Sequence, residues 1–449
     1  MESRAKRLLI ALALLAGIQI AGAQTTFIPL YSFTGNVGVN PIASLVQASD
    51  GNLYGTTYGG GTNGYGAVFR ITTGGTPTPL YSFTGGNDGA HPYSGLVQAS
   101  DGNLYGTTDF GGTNDEGAIF RITTNGALTP LYSFTGGDDG ANPRGGLVQA
   151  SDGNLYGTTA GGGTNFDGTV FRITIKGAFA SIYSFTGGRD GTFPEASLVQ
   201  ASDSYLYGTT YQGGISNGIT GYGAVFRITT NGAMTPLYSF TNGGDGAAPA
   251  AGLVQANDGN LYGTTEDGGT NLYGTVFRIG TNSVMKPLYS FTGGHDGAYP
   301  EATLALAHDG TLYGTTYDAG TDGYGSVFQI TTNGALTPIY SFTYGSDGAE
   351  PLAGLVLASD GDLYGTALSG GANSVGTVFE LILSPPALNI LSAGHKSVLS
   401  WPAWANNYVS QSATNLASPN WAAVTNAISG TTVTLTNSLP AQYFRLVYP

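Results

Sequence analysis

The sequence predicts an all-β chain: a seven-bladed β-propeller closed by its N-terminal strand, followed by a small β-sandwich. Three observations carry this expectation. Leu-Tyr-Gly-Thr recurs with its tyrosine at Tyr54, Tyr105, Tyr156, Tyr207, Tyr262, Tyr313 and Tyr364, spaced by 51 residues except for one step of 55. Tyr-Ser-Phe-Thr begins at Tyr31, Tyr81, Tyr132, Tyr183, Tyr238, Tyr289 and Tyr340, so each marker occurs seven times. Finally, the repeat is out of phase with the chain: it opens on a lone fourth-strand run, Phe27 to Thr34, and ends on a unit, Gly354 to Leu383, that lacks its fourth. A closed ring needs that complementarity, whereas an open solenoid has no use for it.

The chain begins with Arg4, Lys6 and Arg7, then an apolar run from Leu8 to Ile20, then Ala21-Gly22-Ala23. Basic residues, a short apolar stretch and a small-residue A-x-A site read as a cleaved secretory signal over 1–23. The run is too short for a spanning helix, which needs about 20 residues. The protein is therefore expected outside the cell or at its surface, with no membrane span after cleavage. Removing 1–23 takes out Glu2 and the basic residues, moving the net charge from −14 to −16. Binding to nucleic acid requires Lys and Arg to neutralise phosphates, so this balance argues against it. There is no cysteine, hence no disulfide, no thiolate metal site and no cysteine nucleophile.

Within 24–383 each unit reads as four strands. In the second unit these are Gly95 to Ala99, Leu104 to Thr108, Ala118 to Thr123 and Leu131 to Thr135. Ser100-Asp101-Gly102-Asn103 and Thr124-Asn125-Gly126 supply hairpin turns, because Asp-Gly and Asn-Gly tolerate positive φ. The runs are apolar on both faces, as in sheets covered on both sides. The 74 glycines show no Gly-X-Y period and serve turns. After Pro385-Pro386 the repeat stops and a module over 384–449 begins, with Trp401, Trp421 and Tyr443 as its expected core aromatics.

The unit L-Y-S-F-T-G-G-x-D-G-A-x-P…L-V-Q-A-S-D-G-N-L-Y-G-T-T…G-A-V-F-R-I-T resembles the GloVer tandem repeat of secreted bacterial proteins, over 27–383. The resemblance implies export and tandem repetition and supplies no catalytic residues. Its members carry varied C-terminal anchors; no terminal hydrophobic helix with a basic tail is visible after the last module. Leu399-Ser400-Trp401 before Tyr408, with the ending Leu439-Pro440-Ala441-Gln442-Tyr443-Phe444-Arg445-Leu446, resembles a shortened fibronectin type III sandwich.

The most regular polar feature is the loop Gly-Gly-x-Asp-Gly-Ala-x-Pro between units, with Asp88, Asp139, Asp190, Asp245, Asp296 and Asp347. It shares a face with the loop between the second and third strands, which carries Tyr65, Asp115, Asp167, Tyr222, Tyr273 and Tyr324. Carboxylates with tyrosines suit sugar hydroxyls, and carboxylates with backbone carbonyls suit Ca²⁺, the one ion this pattern invites. The rival account, favoured for a residue repeated in nearly every blade, is that Asp-Gly builds the turn and its carboxylate caps local N–H groups.

Catalysis would need residues that break the sevenfold pattern. The histidines His91, His295, His308 and His395 stand singly, and the unpatterned carboxylates are Asp109, Glu116, Glu195, Glu266, Asp267, Glu301 and Glu350. Two of these could flank a glycosidic bond, but the spacing selects no pair. The one large asymmetry is a four-residue insertion within Ile215 to Gly223. The expected function is a monomeric, non-catalytic binding or surface-scaffold protein for extracellular polysaccharide or a cell-surface polymer. The alternative is a polysaccharide-active hydrolase or lyase using loop carboxylates.

Overall fold

The computed structural model describes residues 25–216 and 219–383 and, beyond them, 388–393, 396–401, 409–413, 422–424, 428–429, 432–436 and 443–447. The expected signal segment lies outside the described residues, as do His395, Tyr408 and Trp421. Seven four-stranded antiparallel sheets form the repeat region. No helix among the described residues is long and apolar enough to cross a membrane.

The second blade shows the local logic. Its strands are Val97–Gln98, Leu104–Thr108, Ala118–Ile122 and Leu128–Ser133, paired in that order from the ring axis outwards. The innermost strand is shorter than its apolar run suggests, because Ala99 already turns the chain by donating its N–H to the Asn103 carbonyl. The outermost begins three residues earlier than expected, at Leu128 opposite Ile122. Pro130 falls within it, which an outermost strand tolerates because no ladder N–H is needed on its open edge. The pairing slips between Ile119 and Phe120, a bulge that repeats at this place in each blade.

Gly106 sits opposite Phe120 in the middle of a buried strand. A Cβ there would lie 2.6 Å from the Phe120 ring, so glycine is required for the ring to lie across the strand. Each core cluster joins two neighbouring blades. Tyr105, Ile119 and Phe134 of the second blade, for example, pack on Leu147, Leu155, Phe171 and Ile173 of the third. Burial of one such side chain contributes about 1.5–3 kcal/mol, so blades hold one another rather than standing alone.

The seventh sheet draws on both ends of the repeat region. Thr26–Ser32 pairs antiparallel with Thr377–Ile382, with Ile28 opposite Glu380. Phe27 stacks on Tyr340 of the sixth blade at a 3.8 Å centroid distance. Phe33 is fully buried in a cluster with Tyr364 and Val378 on one side and Leu45, Leu53 and Phe69 of the first blade on the other.

Beyond residue 388 lie two small sheets. One pairs Asn389–Ala393, Lys396–Ser400, Thr432–Thr436 and Ile428–Ser429; the other pairs Ala422–Ala423, Val409–Ala413 and Tyr443–Val447. Leu399, Trp401, Val424 and Val433 form their buried cluster. Trp401 is thus where a core aromatic was expected.

Candidate functional site

The six junction aspartates are turned into their own loops. Asp88 accepts from the Tyr81 hydroxyl at 3.0 Å and the Thr84 N–H at 2.8 Å on one oxygen, and from the Thr84 hydroxyl on the other. The same three donors, seven and four residues upstream, serve Asp139, Asp190, Asp245, Asp296 and Asp347. All but Asp139 are buried. The glycine that follows is fixed by contact: a Cβ on Gly89, at φ 97°, would lie 2.1 Å from Thr108 Oγ1. Each of these carboxylates caps its own turn. Tyr65, Tyr222 and Tyr324 do reach the surface, at 43%, 48% and 37% exposure.

The aspartates of the Ser-Asp-Gly-Asn hairpins on the opposite face are exposed but also bond within their own turns. Asp101 accepts from the Asn103 N–H and side chain and from the Tyr105 hydroxyl at 2.8 Å. Burial pushes its pKa up, but these hydrogen bonds outweigh that and lower it. Asp50, Asp152 and Asp258 repeat the arrangement.

The chemistry gathers instead at the ring axis. In every blade the threonine that follows Leu-Tyr-Gly reaches across to the next blade. Thr56 donates to the Ser94 carbonyl at 3.0 Å, Thr158 to Ala196 at 3.1 Å and Thr264 to Ala302 at 3.2 Å; across the seam, Thr366 donates to Ala43 at 3.3 Å. Each bond pins the residue two positions after the junction proline. The side chain between them, directly after the proline, is thereby held at the centre. In chain order these are Ile42, Tyr93, Arg144, Glu195, Ala250, Glu301 and Leu352, no repeat pattern at all. They line one cavity of about 300 Å³, which all seven blades share and into which Tyr211 and Glu266 also project.

Arg144 sits between two carboxylates, 2.7 Å from Glu195 and 3.4 Å from the buried Asp109, with its guanidinium 5.4 Å from the Tyr93 ring centre. Among the described residues no cation pairs with Glu266 or Glu301. Burial, and then the charges of Glu266, Asp267 and Glu195, push the Glu301 carboxyl up to about 8. Burial and Asp267 push Glu266 up as well, although a hydrogen bond from Tyr211 opposes this. The cavity therefore has an ion-paired half around Arg144 and a half where a carboxyl keeps its proton at neutral pH.

Four of the seven unpatterned carboxylates, Asp109, Glu195, Glu266 and Glu301, meet here. Arg144, Tyr93 and Tyr211 were not among the sequence candidates. The signal that finds them is the column of the repeat that fails to repeat. Glu350 lies on the same face and accepts from the Ser369 hydroxyl at 2.8 Å. The insertion in the fourth unit forms a short hairpin, Ile215–Ser216 with Ile219–Thr220, with Ile215 exposed. Away from the axis, Asp360, Asp362 and Glu380 of the seventh blade bring carboxylate oxygens within 4.8 Å of one another. The Tyr364 hydroxyl bridges Asp360 and Glu380, and the Leu383 N–H donates to Asp362.

Seven sheets around one shared cavity define a seven-bladed propeller with an axial site. The chain belongs to the Gloeobacter/Verrucomicrobia repeat family, whose model matches residues 16–222 and 215–403. No curated protein matches the sequence. Among solved structures, the extracellular domain of a chain assigned as a hybrid two-component system of B. thetaiotaomicron matches 95% of this chain at 12% identity and a TM-score of 0.52. The chain spans 57% of that structure, and the likeness is one of fold. A chain assigned as a 6-phosphogluconolactonase of Bacteroides uniformis matches 88% of this chain, over its own full length, at 16% identity and a TM-score of 0.45.

Proposed function

We propose that this protein is an exported binding propeller that takes an extracellular carbohydrate in its axial cavity. One observation carries the reading: the positions where near-identical blades differ chemically converge on a single cavity that every blade lines. Carboxylates, tyrosines and an arginine are the groups that meet sugar hydroxyls and ring faces. The N-terminal strand acts as the clasp of the ring, and residues 1–23 direct export. The C-terminal sheets act as a fibronectin type III-like module that docks the propeller to polymer or cell wall. Calorimetric titration of residues 24–449 with soluble oligosaccharides tests the reading. Binding that is lost in Arg144→Ala and Glu195→Gln supports the axial site; binding unchanged in both variants places the ligand elsewhere.

A second reading has its own support. Glu301, whose carboxyl is pushed up to about 8, lines the same cavity as Glu195, which pairs with Arg144, and two such carboxyl groups are what glycoside cleavage uses. Release of reducing ends from a polysaccharide, abolished by Glu301→Gln, would establish it.

A further inference from the structure

Seven residues on the axial face share an unusual backbone. The residue before each junction proline has positive φ, between 53° and 56°, at Asn40, His91, Asn142, Phe193, Ala248, Tyr299 and Glu350. Glycine adopts this conformation most readily, and bulky side chains there are costly. A chain with 74 glycines places none of them at these positions. The conformation is held by paired backbone bonds: the His91 N–H donates to the Tyr65 carbonyl at 2.8 Å, and the His91 carbonyl accepts from Asp109 at 3.1 Å. Ala248 carries only a methyl group, so the conformation belongs to the repeat itself, and what varies from blade to blade is the side chain it presents.

His91 is where this has the clearest consequence. Its ring lies 4.7 Å from Tyr58, 5.8 Å from Tyr65 and 6.1 Å from Phe110, centre to centre. Nδ1 is 2.9 Å from the Tyr58 carbonyl, which can only accept, so Nδ1 carries a proton. Together with Asp115 and Asn114 these rings line a second cavity of about 640 Å³. Tyr58 then meets Tyr93, a wall of the axial cavity, edge to face at 6.4 Å. Aromatic faces thus run from the rim of the first two blades to the axis.

We propose that the cavity around His91, Tyr65 and Phe110 is a second subsite, which stacks a sugar ring of a linear oligosaccharide whose end occupies the axial cavity. Aromatic faces with an imidazole and a carboxylate at their edge match the apolar face and equatorial hydroxyls of a pyranose. This inference rests on the axial reading and adds that the ligand is an extended chain rather than a single sugar.

The test is titration of the full chain with cello-, xylo-, malto- and chito-oligosaccharides of one to six units. Tyr65→Ala and His91→Asn are the variants, the latter borrowing the residue that the first and third blades carry at this position. The expected result is one series whose affinity rises by about tenfold or more from the dimer to the hexamer. Each variant removes that increment while leaving dimer affinity unchanged. Affinity independent of length, or equal losses for dimer and hexamer, would overturn the second subsite and leave the axial site standing. Absence of binding in all four series would overturn both.

Discussion

The two faces of the propeller are built from the same repeats and treat their side chains in opposite ways. On the face of the Ser-Asp-Gly-Asn hairpins the repeated polar groups bond one another and tie neighbouring blades together. Gln98 accepts from the Ser49 N–H of the preceding blade at 2.8 Å and donates to Gly102 of its own, and Gln149 does the same with Ser100 and Gly153. Gln47 extends this belt across the seam to Ser359 at 2.7 Å. On the axial face the backbone is equally regular, pinned by one threonine per blade, but the side chains after each proline are all but unrelated. Regularity of backbone with irregularity of side chain separates holding a shape from presenting a chemistry. The raised Glu301 carboxyl occurs on the second face, where a ligand can use it.

The comparison breaks first at the seam, where both faces depend on residues far apart in sequence. Removing residues 24–34 takes away the strand opposite Thr377–Ile382 and the buried Phe33. The expected outcome is loss of the cooperative unfolding transition in a thermal melt. Normal melting of the truncated chain would show that the strand is not the clasp. Phe33→Ala alone should cost about 3–5 kcal/mol, read from the urea midpoint, because its cavity borders both the seventh and the first blade.

Next in size is the effect of pH on the axial carboxyls. Glu301 is raised when folded, so between the ordinary carboxyl value and about 8 the folded state binds a proton that the unfolded state has released. Stability must therefore fall as pH rises through that window, by an amount on the order of 2 kcal/mol after allowance for solvent screening. Glu301→Gln should flatten the profile and be the more stable form at pH 8. A wild-type profile that is flat from pH 5 to 8 would refute the buried proton. The opposite face contributes the opposite sign. Asp50, Asp101, Asp152 and Asp258 are lowered on folding, so the stability they supply is present at neutral pH and lost only in acid below the ordinary carboxylate value. Tyr156→Phe, which removes a 2.7 Å bond to Asp152, should cost about 1 kcal/mol by chemical denaturation at neutral pH.

Much of the architecture was legible because repeats advertise themselves. Seven copies of two markers gave the blade number, and turn residues gave the order of strands. The role of the junction aspartates was legible only in part, since a pattern such as Thr84…Asp88 fits a ligand site and a self-capped turn alike until the donors are placed. The axial site was hidden for a geometric reason. Tyr93, Arg144, Glu195 and Glu301 are scattered by the period of the repeat, one per blade, and no local motif joins them. A search for conserved patterns passes over them because the repeat varies there. Reading the seven units in register, and asking which column refuses to repeat, recovers them.

The smallest effect is the sharpest test of the contrast between faces. Phe193 occupies the strained position of the fourth blade, with φ 55° and 39% exposure. A fully buried phenylalanine would stabilise the fold through its contacts; Phe193 gains less from burial than a core ring and retains the backbone cost of positive φ. Asparagine tolerates that conformation, and the first and third blades already use it there as Asn40 and Asn142. Phe193→Asn is therefore expected to leave stability unchanged or raise it, by up to about 1 kcal/mol, measured as a shift in the urea midpoint at constant slope. A loss of more than that would mean that the fold needs the ring, and the axial face would then be scaffold like its opposite. A gain, accompanied by weaker oligosaccharide binding, would mark Phe193 as a side chain kept at the expense of stability because it meets a ligand.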